Sequence, residues 1–177
     1  TLTNNGDGTA TFTMDALKGG DKISIGGKQY TIGGTTEQDV KDFLKKNKIE
    51  DKADSTFSIT NGGNTVTYKY YAAKANTTDP QGAVTKYGYE EGWYVEGDAK
   101  ESTDAAGQVA VNAKKKYDSY EGFASSDGTF KVGQQSLTKT TITDDNPEDG
   151  VDDKDSTVIS VKKAYELAGK ELLKANQ

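Results

Sequence analysis

The 177-residue sequence is long enough for one ordinary domain or two small ones. Its 28 acidic residues outnumber its 22 basic residues, all lysine, and the formal net charge of −6 argues against nucleic acid and anionic membrane surfaces as partners. Cysteine is absent, which excludes disulfides and thiolate zinc sites, and no apolar run approaches the roughly 18 residues of a membrane span.

The residue types that carry most enzyme chemistry are missing. The sequence has no His, no Cys and no Arg, which removes the commonest general base, the thiolate nucleophile and the bidentate phosphate clamp. A two-carboxylate glycosidase remains an alternative, but among 28 acidic residues some pair always lies close together, so the pattern discriminates little. We therefore expect a protein that is not an enzyme and that uses no cofactor and no metal.

The first third of the chain shows glycine-rich turns between alternating strands. Residues 9–14 alternate as a half-buried strand does. Residues 22–25 and 28–32 flank Gly26 and Gly27, and two glycines can both adopt the positive φ of a type I′ turn. This pattern predicts a β-hairpin.

A change of period follows the first hairpin. Thr35 or Thr36 can cap a helix, and Gln38 stands at the capping-box distance from Thr35. Apolar residues then recur at helical spacing: Val40, Phe43 and Leu44. The spacing predicts a helix near 36–47.

The middle of the chain predicts a second hairpin and a tyrosine-rich strand. Residues 56–60 and 65–70 flank a turn at 61–64. The polar residues 72–81 indicate a loop that could join two subdomains. A strand is predicted around 87–95.

Residues 103–117 are ambiguous between helix and strand. Val109 and Val111 fit an alternating strand, but a helical stripe is also present and we favour it: Ala106, Val109, Ala113 and Tyr117. The following run Lys114-Lys115-Lys116 is too short for nucleic acid and is interpreted as a solvated helix end.

The last third predicts a third hairpin and a terminal helix. Phe123 and residues 129–132 flank a turn at 125–128, and strands are predicted at 137–142 and 158–160. A terminal amphipathic helix over 160–175 would bury one stripe: Val161, Ala164, Tyr165, Ala168 and Leu172.

The acidic segment 144–155 invites comparison with an EF-hand calcium loop. With Gly150 at position 6 of that loop, Pro147 and Ser156 occupy positions 3 and 12, where oxygen ligands and a Glu are needed. We interpret the segment as a solvated loop whose charges repel one another, with calcium binding as the alternative.

The candidate ligand site is a group of aromatic residues. Tyr87, Tyr89 and Trp93 share one strand parity, which Tyr94 does not, and could form a stacking platform for a glycan. The alternative is that these side chains pack inward, and we favour it.

Together the elements predict an α+β, β-rich fold with several β-hairpins, two or three short helices and antiparallel sheets. We expect a hairpin-helix-hairpin subdomain over 1–75 and a second β-rich subdomain over 76–177 that ends in a helix; a single domain remains the alternative. The sequence opens at Thr1 without Met, so we expect a processed piece of a longer parent chain.

Three segments resemble the variable middle region of bacterial flagellins. Residues 20–32, GDKISIGGKQYTI, are similar to a hairpin common in that region, and residues 123–130 and 162–173 are similar to other parts of it. The resemblance implies a secreted, antigenic, surface-exposed structural module on the bacterial cell surface. It also implies that self-assembly uses parts of the parent chain outside this sequence.

Two other functions remain open. One is a glycan- or receptor-binding module of a bacterial adhesin, whose partners would be a host receptor, an antibody or a glycan. The other is a structural domain of a phage tail or a surface layer, where the same hairpin string occurs.

Overall fold

The chain has an α+β, β-rich fold. The computed structural model describes residues 2–4, 10–12, 17–140, 150–151 and 155–175, with the backbone alone for 2–4, 10–12 and 174–175. The strands are β1 (Leu2–Asn4), β2 (Ala10–Phe12), β3 (Lys22–Ile25), β4 (Lys28–Ile32), β5 (Thr56–Asn61), β6 (Asn64–Tyr71), β7 (Thr77–Thr78), β8 (Val84–Lys86), β9 (Gly92–Val95), β10 (Gly128–Val132), β11 (Gln135–Lys139) and β12 (Val158–Ile159). The helices are α1 (Glu37–Lys46), α2 (Ala105–Asn112), a 3-10 helix (Tyr120–Ser125) and α3 (Val161–Ala175).

Antiparallel pairing dominates the sheets. The largest sheet has the strand order β11-β10-β5-β6-β9, and β1–β2 and β7–β8 form two-stranded antiparallel sheets. The remaining sheet has the order β12-β4-β3, in which β12 runs parallel to β4. The predicted antiparallel hairpins at 22–32 and 56–70 are confirmed.

Contacts divide the chain into two units. Unit 1 contains Thr1–Thr36 and Leu137–Gln177, and unit 2 contains Glu37–Ser136, so the second boundary falls within β11. This division differs from the expected one at 75/76. The physical reason is strand pairing, because β6 of the second hairpin bonds to β9 and β5 bonds to β10, which keeps 56–71 and 92–132 in one sheet.

Unit 1 is built on the first hairpin and α3. Gly26 and Gly27 have φ of 59° and 80°, the positive values that the type I′ turn requires. Its buried cluster consists of Ile32, Ile159, Ala164 and Ala168. The predicted terminal helix is confirmed, but its stripe is narrower than expected, since Tyr165 is 40% exposed.

Unit 2 has an aromatic core on one face of the largest sheet. Phe57 packs edge-on against Trp93 and Phe123, with ring centroids 5.1 and 5.0 Å apart, and stacks on Phe130 at 6.2 Å. Helix α1, close to its predicted bounds, buries Val40 and Leu44. Large rings compensate for the small number of aliphatic residues in this unit.

Several local predictions need correction. The tyrosine-rich strand is confined to β9, because Tyr87 and Tyr89 make only isolated bridges to Ser102 and Lys74. Phe123 lies in the 3-10 helix, so β10 has β11 rather than residue 123 as its hairpin partner.

Two more corrections concern helix ends and faces. Thr35 does not immediately precede α1, which begins at Glu37; its hydroxyl instead donates to the carbonyl oxygen of Thr138 at 2.7 Å. Helix α2 is confirmed as a helix, but Ala106, Val109 and Ala113 of its predicted stripe are exposed.

Within the part of the chain that the structure describes, no helix combines the length and apolar character needed to cross a bilayer. The threonine-rich strand is described as far as Thr140, and residues 141–149 and 152–154, which contain most of the acidic segment, lie outside the described residues.

Candidate functional site

The uncovered face of the largest sheet carries a regular array of hydroxyl groups. Alternation along β5 sends Phe57 and Ile59 into the core and places the side chains between them on the opposite face. The same alternation in β6 and β10 extends that array. We name it the hydroxyl face; its members are Thr56, Ser58, Thr60, Thr65, Thr67, Lys69, Thr129 and Lys131.

Strand register arranges these side chains in rows across the sheet. Thr60 lies opposite both Thr65 of β6 and Thr129 of β10, and the Thr60 and Thr65 hydroxyl oxygens are 2.8 Å apart. In the next row, Ser58 lies opposite Thr67 and Lys131. Because neighbouring strands are about 4.8 Å apart, each row offers three polar groups at even spacing.

A group of three tyrosines closes one end of the hydroxyl face. Tyr94 lies opposite Lys69 in the register but is fully buried, since Tyr71 and Tyr89 pack edge-on against it at 5.8 and 6.3 Å. The Tyr94 hydroxyl donates to the carbonyl oxygen of Glu90 at 2.6 Å. Burial raises the pKa of Tyr94, an effect that nearby Lys115 partly offsets.

Lys69 connects the tyrosines to the hydroxyl rows. Its ammonium lies 5.4 Å from the centroid of the Tyr71 ring, within the range of a cation–π contact, and 3.3 Å from the Asp54 carboxylate. The Tyr71 hydroxyl accepts a hydrogen bond from the Gly97 amide at 2.8 Å. Tyr71 is thus engaged at its face and its hydroxyl, and the half-buried ring of Tyr89 is the more accessible member of the group.

The structure separates the members of the predicted aromatic platform. Trp93 is 0% exposed, and its indole N–H donates to Asp51 at 2.7 Å, so the ring cannot present a surface to a ligand. Tyr87 and Tyr89 are half-buried outside β9. The inward-packing alternative therefore describes Trp93, and the predicted three-residue platform is not present on the surface.

Asp51 organises the buried side of this region. Its Oδ1 atom accepts from the Trp93 indole and from the Tyr120 amide, both at 2.7 Å. Burial raises the pKa of Tyr70 and of Tyr120, with nearby carboxylates adding to the effect. These tyrosines are neutral hydrogen-bonding groups near pH 7 and unsuited to act as bases there.

Lys115 is held rather than free in solvent, as its lysine run had suggested. Its ammonium contacts Asp118 at 2.8 Å and Glu90 at 3.1 Å. Hydrogen bonds to Asp118 and Glu90 raise its pKa, which fixes its positive charge. This network stabilises the turn before β9, next to the buried tyrosine.

Among the residues that the structure describes, no cluster of three acidic side chains is suited to hold a metal ion. The hydroxyl face could form hydrogen bonds to a polar ligand, with two lysines adding positive charge. Sequence reasoning missed this face, although the alternation of Thr and Ser with apolar residues in 56–60 and 65–70 is its signal.

No protein-family model, no curated protein and no solved structure matches the chain. The functional interpretation therefore depends on the sequence and on the geometry of the described residues.

Proposed function

We propose that this chain is a non-catalytic, surface-exposed structural module of an extracellular bacterial filament, similar to the variable middle region of flagellin. Assembly of the filament would use parts of the parent chain outside this sequence. The observation that carries the proposal is the way in which unit 2 is inserted into unit 1.

The two chain connections of unit 2 leave unit 1 side by side. Thr35, just before unit 2, donates its hydroxyl to the carbonyl oxygen of Thr138, just after it, at 2.7 Å. The Thr138 amide donates to the carbonyl oxygen of Gly19 at 2.8 Å. A Cβ at position 19 would overlap both the Thr138 carbonyl oxygen and the Thr35 hydroxyl, so glycine permits this close approach.

Adjacent entry and exit points make unit 2 a closed insertion. An insertion of this kind can vary in sequence and length without changing the path of the chain that surrounds it. This property suits a variable region displayed on a filament whose assembly depends on other segments. The flagellin-like hairpin string belongs to unit 1, on which the insertion is built.

The surface chemistry also favours display in solvent. Among the described side chains, the large hydrophobic residues that are exposed are few and separate: Val109, Tyr165 and Leu173. The hydroxyl face and the net charge of −6 favour solubility at high local density. The absence of His, Cys and Arg supports a role without catalysis.

The test is to sequence the parent gene and to locate its product. We expect long amphipathic helices to flank both sides of this segment, and antibodies raised against the segment to decorate filaments on intact cells in immunogold microscopy. A control strain that lacks the segment should show undecorated filaments. A cell-wall sorting signal, tandem surface modules or phage tail genes around the segment would contradict the proposal.

The hydroxyl face supports one second candidate, a glycan-binding module of an adhesin. Rows of hydroxyl groups beside the half-buried ring of Tyr89 offer hydrogen bonds and one stacking surface to a saccharide. A glycan array should then show reproducible binding that Tyr89→Ala abolishes and Tyr87→Ala retains. Trp93→Ala is unsuitable for this test, because removing a fully buried ring would unfold unit 2.

A further inference from the structure

Helix α2 presents its apolar side to solvent. Val109 at its centre is 69% exposed. We name the exposed apolar side of this segment the outer face of α2; its members are Ala105, Ala106, Val109, Ala110 and Ala113. A surface helix of a globular protein ordinarily turns such residues toward the core.

Polar side chains attach α2 to the rest of unit 2. The Gln108 amide donates to Asn76 Oδ1 at 2.9 Å and to the carbonyl oxygen of Gly88 at 3.3 Å. The Asn112 side-chain oxygen accepts from the Glu90 amide at 2.9 Å. The helix is therefore fixed by hydrogen bonds on its inner side, and its apolar residues contribute little to the fold.

The two ends of the outer face carry opposite charges. Asp104 caps the helix by accepting from the Gly107 amide at 2.6 Å, and Lys114 follows the other end. Both residues are exposed, and each stands five positions from Val109 in the sequence. The helix dipole has its positive end at Asp104 and its negative end at Lys114.

This arrangement is complementary to itself. If two copies meet with their α2 helices antiparallel and a two-fold axis beside Val109, Asp104 of each copy faces Lys114 of the other. Alanine side chains let the two helix backbones approach closely, and the dipoles oppose each other favourably. The same contact occurs twice, as a two-fold interface requires.

We propose that the outer face of α2 is a docking surface for a second copy of this chain, paired antiparallel about Val109. The contact area is small compared with the roughly 1,200 Å² of a stable interface, so the pairing is weak and depends on high local concentration. The inference stands apart from the proposed function, because any setting that crowds copies together would populate the pair.

The absence of cysteine allows a direct test by disulfide trapping. A Val109→Cys variant places one thiol beside the two-fold axis, within the Cα separation of about 6 Å that a disulfide requires. Thr65→Cys, exposed on the hydroxyl face, is the matched control. We expect covalent dimers of Val109→Cys to form at least about tenfold faster under mild oxidation, because pairing raises the effective thiol concentration.

Charge variants test the antiparallel geometry. In the Val109→Cys background, Lys114→Glu should slow dimer formation about fivefold, because it sets a second carboxylate against Asp104 in both contacts. Adding Asp104→Ser, which keeps a capping side chain, should restore much of the rate. Circular dichroism should show unchanged helix content in all variants.

Either of two results would overturn the proposal. Equal trapping rates for Val109→Cys and Thr65→Cys would exclude pairing through this face. Fast trapping that Lys114→Glu leaves unchanged would exclude the antiparallel geometry.

Discussion

Helix α3 rests on the β3–β4–β12 sheet of unit 1 through Ala164 and Ala168, which are 0% and 4% exposed. Helix α2 is instead attached to unit 2 through Gln108 and Asn112, and its central Val109 lies in solvent. One helix is fixed by apolar burial and the other by hydrogen bonds. The difference teaches that apolar residues at helical spacing define a face without defining what that face contacts.

Replacing an alanine at the centre of the α3 contact should have the largest effect. Ala164→Glu places a carboxylate among Ile32, Ile159 and Ala168, and we expect a loss of about 4 kcal/mol in the stability of unit 1. Hydrogen exchange followed by mass spectrometry should show lost protection in 22–32 and 161–173. Retained protection there would mean that α3 is not held by this contact.

Alkaline pH should act next, on the unit that carries α2. Burial raises the pKa of Tyr68, Tyr70 and Tyr94 above the ordinary value of 10.0. Above about pH 10 the unfolded chain loses these protons while the folded unit keeps them, so stability is complete below that pH and falls as pH rises.

The emission of Trp93, the single tryptophan, reports unit 2 selectively. Its thermal midpoint should fall between pH 9 and pH 11. In Tyr94→Phe the decline should be shallower, since one of the shifted groups is gone. A midpoint independent of pH across this range would show that the buried tyrosines do not control the alkaline limit.

Removing one polar attachment of α2 should have a moderate effect. Asn112→Ala deprives the Glu90 amide of its acceptor, and we expect a loss of about 1 kcal/mol. Urea unfolding monitored at Trp93 measures the change, with Ala110→Ser on the outer face as a near-neutral control. A loss no larger than that of the control would show that hydrogen bonds do not hold this helix.

The smallest effect should come from a charge on the outer face of α2. Val109→Glu introduces the same side chain as Ala164→Glu, but into solvent and in a residue type that favours helix, so the change should stay within about 0.5 kcal/mol. The same urea measurement tests this expectation. A large loss would mean that the outer face is covered within one copy of the chain.

Much of the local structure could be predicted from the sequence. The Gly pairs at 26–27 and 62–63 specify both hairpins, because their positive φ suits two-residue turns and alternation on either side sets the register. Helices α1 and α3 follow from apolar spacing and lie close to the expected bounds. These features depend on neighbours in the chain.

The candidate sites could be predicted less well. A tyrosine-rich run does not show that Trp93 is buried on Asp51, 42 positions away, or that Tyr89 leaves the strand. The hydroxyl face requires the pairing of β10 with β5, which joins residues about 70 positions apart. Long-range partners of this kind leave no periodic signal in a single sequence.

The sequence by itself determined the class of fold, the hairpins, the helices and the absence of the usual catalytic side chains, because these depend on residue type and local spacing. The tertiary structure decided the division into an inserted and a surrounding unit, the burial of Trp93 and the outward apolar side of α2. The physical reason is that burial is a property of pairs of elements. An alanine stripe is a core contact in α3, where a sheet covers it, and a solvent-facing surface in α2, where Gln108 and Asn112 make the attachment instead.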